Sequence, residues 1–336
     1  MTSINVLLIG DQHFQVGNIP DVEVFIEKIE RLVNETKPDF IVCLGDLLHT
    51  HERLHTIPLN KAFEFIDKLR KFAPVYSLIG NHDMCNHTQF LSENHWQNSL
   101  KKWENVVVVD KVISVTIKEM KFVFTPYVFP GRFQEALNTL DGEWKDSVCI
   151  FAHQEFYGCK MGAIISEEGD KWPLDFPEVI SGHIHLRQKP QANIYYTGSA
   201  MQHAFGESSV NTVALVNFTK EGVYTKREID LGLPRKKIIY KNFETIKKFK
   251  LPDTTDKIKI SLKGTYEEFK IFKKSQKYKK LVKQGVKIVY SYDSNENLTK
   301  EYETMQTLSF KEVLTKLVME EKDNYMENLC NDILNK

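Results

Sequence analysis

The sequence predicts an α/β fold: a two-sheet β-sandwich flanked by helices, with a small α+β module and C-terminal helices appended. Three observations predict it. Over about the first eighty residues, short apolar runs alternate with amphipathic stretches. The middle of the chain then changes to short β-like pieces with few helices between them. Near Leu231-Gly232-Leu233-Pro234 the composition turns strongly basic. Strands joined by helices, followed by a second set of strands, build layered α/β architectures.

Taken in order, Ile4 to Ile9 is a compact apolar run suited to a buried strand. A helix is expected next, with Asp21 as its N-cap. Val22, Phe25, Ile26, Ile29, Leu32 and Val33 recur there at spacings of three and four, which gives one apolar face. Phe40 to Leu44 reads as a second strand. A helix from about Pro58 to Phe72 places Leu59, Ala62, Phe63, Ile66 and Leu69 inward, and Val75 to Ile79 is a third strand. The βαβαβ pattern implies parallel strands, right-handed crossovers and a site at the strands' carboxyl ends. After a helix ending near Leu100, the strands expected are Val106 to Val109, Val112 to Ile117, Phe122 to Thr125, Val148 to Ala152, Ile194 to Thr197 and Val213 to Phe218.

Formal charge is zero over the 336 residues, but it is unevenly spread. Residues 231–290 hold 18 Lys or Arg against 5 Asp or Glu, a net +13, which leaves −13 for the remainder. This basic stretch reads as a strand (Ile258 to Leu262), a helix (about Thr265 to Gln284) and a strand (Val286 to Tyr292). Residues 309–336 are helical by pattern. The expected division is therefore a first domain over 1–230, a small basic α+β module over 231–300, and a C-terminal helical segment over 301–336.

Apolar residues at 42% and charged residues at 27% exclude a disordered or collagen-like chain. Five widely spaced cysteines without a CxxC pair exclude a disulfide framework and a cysteine zinc site. No stretch approaches the ~20 apolar residues of a membrane span. The chain is expected to be intracellular, not secreted and not membrane-bound, with no targeting segment visible at Met1.

Chemistry concentrates where the apolar runs stop. Asp11 and His13 follow the first strand, Asp46 the second, and Asn81, His82 and Asp83 the third. His153 ends the run from Val148, while His183 and His185 follow Val179-Ile180. A single His or Asp at a strand end is ordinarily a capping or satisfied polar residue. Recurrence at five strand ends argues against coincidence. Seven groups (Asp11, His13, Asp46, Asn81, His153, His183 and His185) offer imidazole and oxygen donors without thiolate, a set suited to manganese, iron or zinc. Seven exceed the three or four protein ligands of one catalytic metal site, whereas two metals sharing a bridging carboxylate use them all.

In order, Asp11-Gln-His13, Gly45-Asp46, Gly80-Asn-His-Asp83, His153 and Gly182-His-Ile-His185 resemble the five signatures of calcineurin-like metallophosphoesterases, over about residues 4 to 200. Gly45-Asp-Leu-Leu-His49 is similar to the corresponding motif of SbcCD-type DNA repair nuclease subunits. Tyr196-Thr-Gly-Ser199 with Phe205-Gly-Glu207 resembles the stretch that follows the last histidines in those nucleases, and His153-Gln-Glu-Phe156 is similar to bacteriophage versions. Protein serine/threonine phosphatases carry Asp-Arg-Gly after the aspartate and Glu at the place of Asp83, a departure that argues against a phosphatase.

The resemblance implies the metallophosphoesterase fold and two divalent metal ions, manganese first, with magnesium, iron and zinc as alternatives. One ion would be held by Asp11, His13 and His185, the other by Asn81, His153 and His183, with Asp46 bridging. It further implies that His82 faces the substrate and acts on the departing 3′-oxygen, that Asp83 fixes the orientation of His82, and that His49 contacts the scissile nucleotide. The implied function is a DNA exonuclease or endonuclease working with an SbcC-type, SMC-like ATPase in double-strand-break processing or recombination, as a homodimer, in the bacterial cytoplasm or nucleoid if phage-encoded; the layout beyond residue 230 resembles that family's, which implies a nuclease domain over 1–230, a capping and DNA-binding domain over 231–300 and an ATPase-binding segment over 301–336. A small-molecule phosphodiesterase or nucleotide phosphatase, and a scaffold with a vestigial site, are the competing readings.

His51, His55, His87, His95 and His203 match no ligand position and are expected on the surface or in loops. Trp96 and Trp103 are expected to pack in the core. Lys273, Lys274, Lys277 and Lys280, interleaved with Phe269, Phe272 and Tyr278, are expected to contact the DNA backbone.

Overall fold

The computed structural model describes residues 2–51, 53–86 and 88–292, together with Val318. Along the chain the elements are β1 (Ile4–Ile9), α1 (Ile19–Thr36), β2 (Phe40–Cys43), α2 (Thr56–Leu69), β3 (Val75–Leu78) and β4 (Val106–Val109). Then come β5 (Ile113–Ile117), β6 (Met120–Phe124), α3 (Phe133–Leu137), β7 (Cys149–His153), β8 (Lys160–Met161), β9 (Ile164–Ile165), β10 (Val179–Gly182), β11 (Gln188–Gln191) and β12 (Ile194–Tyr196). The remainder is β13 (Val213–Thr219), β14 (Gly222–Ile229), β15 (Lys236–Asn242), α4 (Phe243–Lys248), β16 (Lys257–Gly264), α5 (Tyr266–Lys274), α6 (Gln276–Lys283) and β17 (Lys287–Tyr292).

Two six-stranded sheets, β14-β13-β1-β2-β3-β4 and β11-β12-β10-β7-β6-β5, lie face to face. Strands β1 to β4 pair in parallel, as the βαβ crossovers require. Side-chain alternation assigns each face. In β1, Ile4, Val6 and Leu8 enter the core between the sheets with Phe122, Phe124, Phe151 and Phe218, while Leu7 and Ile9 lie under the helices with Phe25, Ile26 and Ile66. Burial on both faces is why these strands read as unbroken apolar runs. A third core covers the far side of the second sheet, where Phe133, Trp144, Phe156 and Trp172 pack on Ile150 and Tyr196.

Several local expectations are corrected. Helix α1 starts at Ile19, with Asn18 as N-cap and Pro20 in its first turn, so Asp21 lies inside the helix. Proline's fixed φ suits that turn. The segment before Trp103 is a 3₁₀ run, Trp96–Lys102, not an α-helix; its Trp, Asn and Ser are weaker helix formers. The single helix expected from Thr265 to Gln284 is two, because Ser275 is extended and its hydroxyl caps α6 by accepting from the Tyr278 N–H.

The chain divides into two compact units, the first comprising 1–238 with 253–257 and the second 239–252 with the residues from 258 onward. The first unit continues past the expected boundary at residue 230 because Leu231 and Leu233 pack on its core. The second is a three-stranded sheet, β15-β16-β17, whose core joins Ile258, Ile260 and Leu262 to Phe243, Phe272 and Leu281. The C-terminal segment expected over 301–336 lies outside the described residues apart from Val318. Among the described residues no helix is long and apolar enough to cross a membrane.

Candidate metal centre

Strands β1, β2, β3, β7 and β10 end at one edge of the sandwich and deliver the seven side chains there. The turns that follow are sharply bent: Asp11 (φ 45°), His13 (46°), Asp46 (54°) and His183 (80°) all adopt left-handed backbone that non-glycine residues rarely occupy. Strain of this kind persists where the surroundings over-determine it and clusters at functional sites. Two glycines let the loops close together. A Cβ at Gly80 would stand 2.2 Å from Asp46 Oδ1, and one at Gly45 would stand 2.4 Å from His153 Nδ1.

Asp46 lies at the centre. Its Oδ2 is 3.5 Å from His13 Nε2 and 3.4 Å from His153 Nε2, while Oδ1 accepts the His82 backbone N–H at 2.8 Å. On one side, His13 Nε2 and His185 Nε2 are 3.0 Å apart, and Asp11 receives the His183 backbone N–H through Oδ1. On the other, Asn81 Oδ1 is 3.0 Å from His153 Nε2 and 2.9 Å from His183 Nδ1. The structure thus brings all seven expected residues together, and groups of them bring donor atoms within 4.8 Å of one another, Asp11 with His13 and Asp46, and Asp46 with His153 and His183.

Hydrogen-bond partners define which atoms face inward. His153 Nδ1 donates to the Leu44 carbonyl at 2.6 Å, so its Nε2 presents a lone pair to Asp46 and Asn81, which are themselves acceptors. His185 Nδ1 faces the Glu207 carboxylate at 3.3 Å, which turns its Nε2 lone pair toward His13 Nε2. Asp11 Oδ2 is buried without a partner. Acceptors converging on acceptors need a cation between them, and the donor set, nitrogen and carboxylate oxygen without sulfur, fits divalent metal ions. Without one, a proton substitutes. Burial opposes charge on His153, yet the Asp46 carboxylate beside it pushes the imidazole up to about 9. Burial holds His13 well below the usual histidine range, keeping it neutral as a ligand must be.

The remaining expected residues are placed differently. His82 is half-buried, with Nδ1 2.6 Å from the His49 carbonyl, to which it donates. The expectation that Asp83 orients His82 is therefore corrected. Both Asp83 oxygens are taken elsewhere, Oδ2 by the N–H groups of Asp46 (2.9 Å) and Gly80 (3.0 Å), Oδ1 by the Trp96 indole at 2.8 Å and the Leu48 N–H at 3.4 Å. Asp83 is a buried brace that holds the Asp46 loop. His49 Nδ1 lies 3.3 Å from His13 Nδ1, so one of the two rings donates to the other.

Of the histidines expected on the surface or in loops, three make specific side-chain contacts. His95 is buried against Asp110 (3.1 Å), His51 stacks on His82 with ring centroids 4.4 Å apart, and His203 stands 4.8 Å from His13 and 5.0 Å from His185 between centroids. His55 is exposed, and His87 lies outside the described residues. Glu207 and Glu155 carry no role that the sequence alone reveals. Glu155 stands 3.9 Å from His183 Nε2, on the ring edge opposite Asn81. Trp96 does pack against the first core, but its N–H serves Asp83 as well. In the second unit, Lys273, Lys274 and Lys280 are exposed, whereas the Lys277 ammonium is drawn to the Phe249 carbonyl.

Comparison with known proteins bears on this cluster. Residues 4–187 match the family model described as calcineurin-like phosphoesterase. "Putative phosphoesterase 078R" of Invertebrate iridescent virus 3 is 45% identical over 337 residues, 98% of this chain and 96% of that protein. "Putative phosphoesterase 244L" of Invertebrate iridescent virus 6 is 50% identical over 284 residues, 82% of this chain and 99% of that protein. A solved archaeal phosphodiesterase is 16% identical, with a TM-score of 0.37, covering 67% of this chain and 99% of that one. The chain belongs to the calcineurin-like phosphoesterase family.

Proposed function

We propose that this phosphoesterase is a two-metal phosphodiesterase whose substrate is DNA. One cation would be held by Asp11, His13 and His185 and the other by Asn81, His153 and His183, with Asp46 between them. Two divalent cations, manganese first among the candidates, would polarise the phosphoryl group, make a water molecule more acidic and neutralise developing charge. His82 supplies the acid. With Nδ1 fixed on the His49 carbonyl, Nε2 is the atom that donates a proton to the departing oxygen when the ring is protonated. With His13 Nε2 on the cation, its Nδ1 would donate to His49 Nδ1 and leave His49 a proton on Nε2 for a phosphate or sugar oxygen.

The observation that supports DNA over a small ester is the second unit. Its residues 239–252 and 258–292 contain 14 lysines against three glutamates, and Lys273, Lys274, Lys279, Lys280, Lys283 and Lys287 are exposed. A small-molecule phosphodiesterase or nucleotide phosphatase gains nothing from such a surface, whereas a polyanion releases counterions on it. The test compares labelled duplex DNA, bis(p-nitrophenyl) phosphate and cyclic nucleotides in manganese, for the parent and for Lys273→Glu/Lys274→Glu/Lys280→Glu. Charge reversal should weaken DNA binding and flatten its dependence on log salt by about 0.9 for each phosphate no longer neutralised, with the small diester hydrolysed as before. Hydrolysis of small diesters with DNA left intact would favour the small-molecule reading, and purified protein that binds no metal would favour a vestigial scaffold.

An SMC-like ATPase partner belongs to the same proposal. Its support is the sequence stripe Phe310, Val313, Leu314, Leu317 and Val318. Deleting residues 306–336 should abolish co-purification with such an ATPase while activity persists.

A further inference from the structure

The loop carrying His203 is tied into the metal centre from three directions. The Glu207 carboxylate accepts the N–H groups of His203 (2.9 Å) and Ala204 (2.8 Å) through Oε2 and faces His185 Nδ1 through Oε1. One carboxylate thus clamps an expected ligand and the His203 backbone together. The Gln202 side chain donates to the Glu207 carbonyl at 3.1 Å and accepts the Lys236 N–H at 2.7 Å. The His203 ring is then fixed by its own bond: Nε2 lies 2.8 Å from the carbonyl of Asp11, which can only accept, so Nε2 carries the proton and Nδ1 the lone pair. That Nδ1 is buried and has no hydrogen-bond partner. A ring nitrogen of His203 lies within 4.8 Å of those of His13 and His185.

We propose that His203 is an additional imidazole ligand of the cation held by Asp11, His13 and His185. This rests on the metal reading of the site and deepens it. A histidine with one ring nitrogen bonded to a backbone carbonyl and the other bare and buried has the arrangement of a metal ligand. The two metal positions then differ in chemistry. The first holds three imidazoles with carboxylate, and the second two imidazoles with an amide and the shared carboxylate. Nitrogen-rich coordination favours manganese, iron or zinc over magnesium, so the first position discriminates against magnesium more strongly than the second.

The test counts nitrogens in the full-length chain. In a His153→Ala background, which cripples the second position, one equivalent of Mn2+ is added and pulsed electron paramagnetic resonance counts the imidazoles on the ion. Three are expected, falling to two in His153→Ala/His203→Gln. Calorimetric Mn2+ titration of His203→Gln alone should show one of two binding events weakened about 10- to 100-fold and the other unchanged. A count of two in the His153→Ala protein overturns the proposal, even if the double variant fails to fold. Binding of two ions with two imidazoles at the first position would leave the two-metal reading standing, whereas no Mn2+ binding at all would remove both.

Discussion

The indole N–H of Trp96 donates to Asp83 Oδ1 at 2.8 Å, and the other oxygen of that carboxylate holds the backbone N–H of Asp46. A tryptophan in a 3₁₀ run thereby acts on the central carboxylate of the candidate metal centre through a buried intermediary. Burial and the nearby Asp46 charge raise the Asp83 carboxyl to about 6, so each donor that it keeps favours the ionised form.

We predict that Trp96→Phe, which keeps the packing on Phe63 but removes the N–H, destabilises the protein by about 1–3 kcal/mol. Manganese affinity should fall as the Asp46 loop loosens. Urea unfolding and metal titration check this. Unchanged values for both would show that the indole bond holds nothing in place.

Gly80 provides a second way to displace Asp46. A Cβ there would stand 2.2 Å from Asp46 Oδ1 and 2.4 Å from its backbone nitrogen, an overlap that must be relieved by moving the loop. Gly80→Ala is predicted to abolish metal binding and phosphodiester hydrolysis together while the second unit still folds. Elemental analysis of the purified variant decides the point, since two ions per chain would mean that the loop tolerates the methyl group.

Metal should also stabilise the fold. Asp11 Oδ2 is buried without a partner, a cost that a bound cation removes. At a free metal concentration 100 times the dissociation constant, one site is worth about 2.7 kcal/mol. Scanning calorimetry should therefore show a midpoint higher by roughly 5–10 °C in manganese than in chelator. Asp46→Ala should abolish most of that difference, because Asp46 touches both halves of the site.

The seven clustered residues are legible in the sequence because each follows an apolar run, and a run of four to six buried residues is the strongest signal that a strand gives. Its support is not. The bonds from Trp96 to Asp83 and from Glu207 to His185 join residues 13 and 22 apart in sequence, and no periodicity encodes them. Phe205-Gly-Glu207 stands out by resemblance, yet without coordinates nothing attaches a role to the glutamate or to His203 before it. Strand β14 escapes detection because Lys226, Arg227 and Glu228 make an edge strand look like a charged loop, and β8 and β9 are two residues each. The break between α5 and α6 does carry a signal, Ser275, but the lysines that continue across it outweigh it.

Away from the candidate metal centre, Asp110 anchors a second network with Lys101 and His95. Burial alone would raise the Asp110 carboxyl, but the Lys101 ammonium at 2.5 Å and His95 at 3.1 Å hold it below the usual aspartate range. A carboxyl whose folded-state value is depressed contributes stability above its unfolded value, and that contribution disappears as pH falls through the folded value. Asp110→Asn should therefore cost about 1 kcal/mol at pH 7, a modest figure because Lys101 is one-third exposed and partly screened. The cost should be unchanged at pH 5 and shrink only below about pH 4, where the carboxyl of the unfolded chain begins to take up a proton before the folded one does. Urea unfolding of parent and variant at pH 7, 5 and 3.5 checks the sign; a difference that grows on acidification would show that the aspartate is not held ionised by Lys101 and His95.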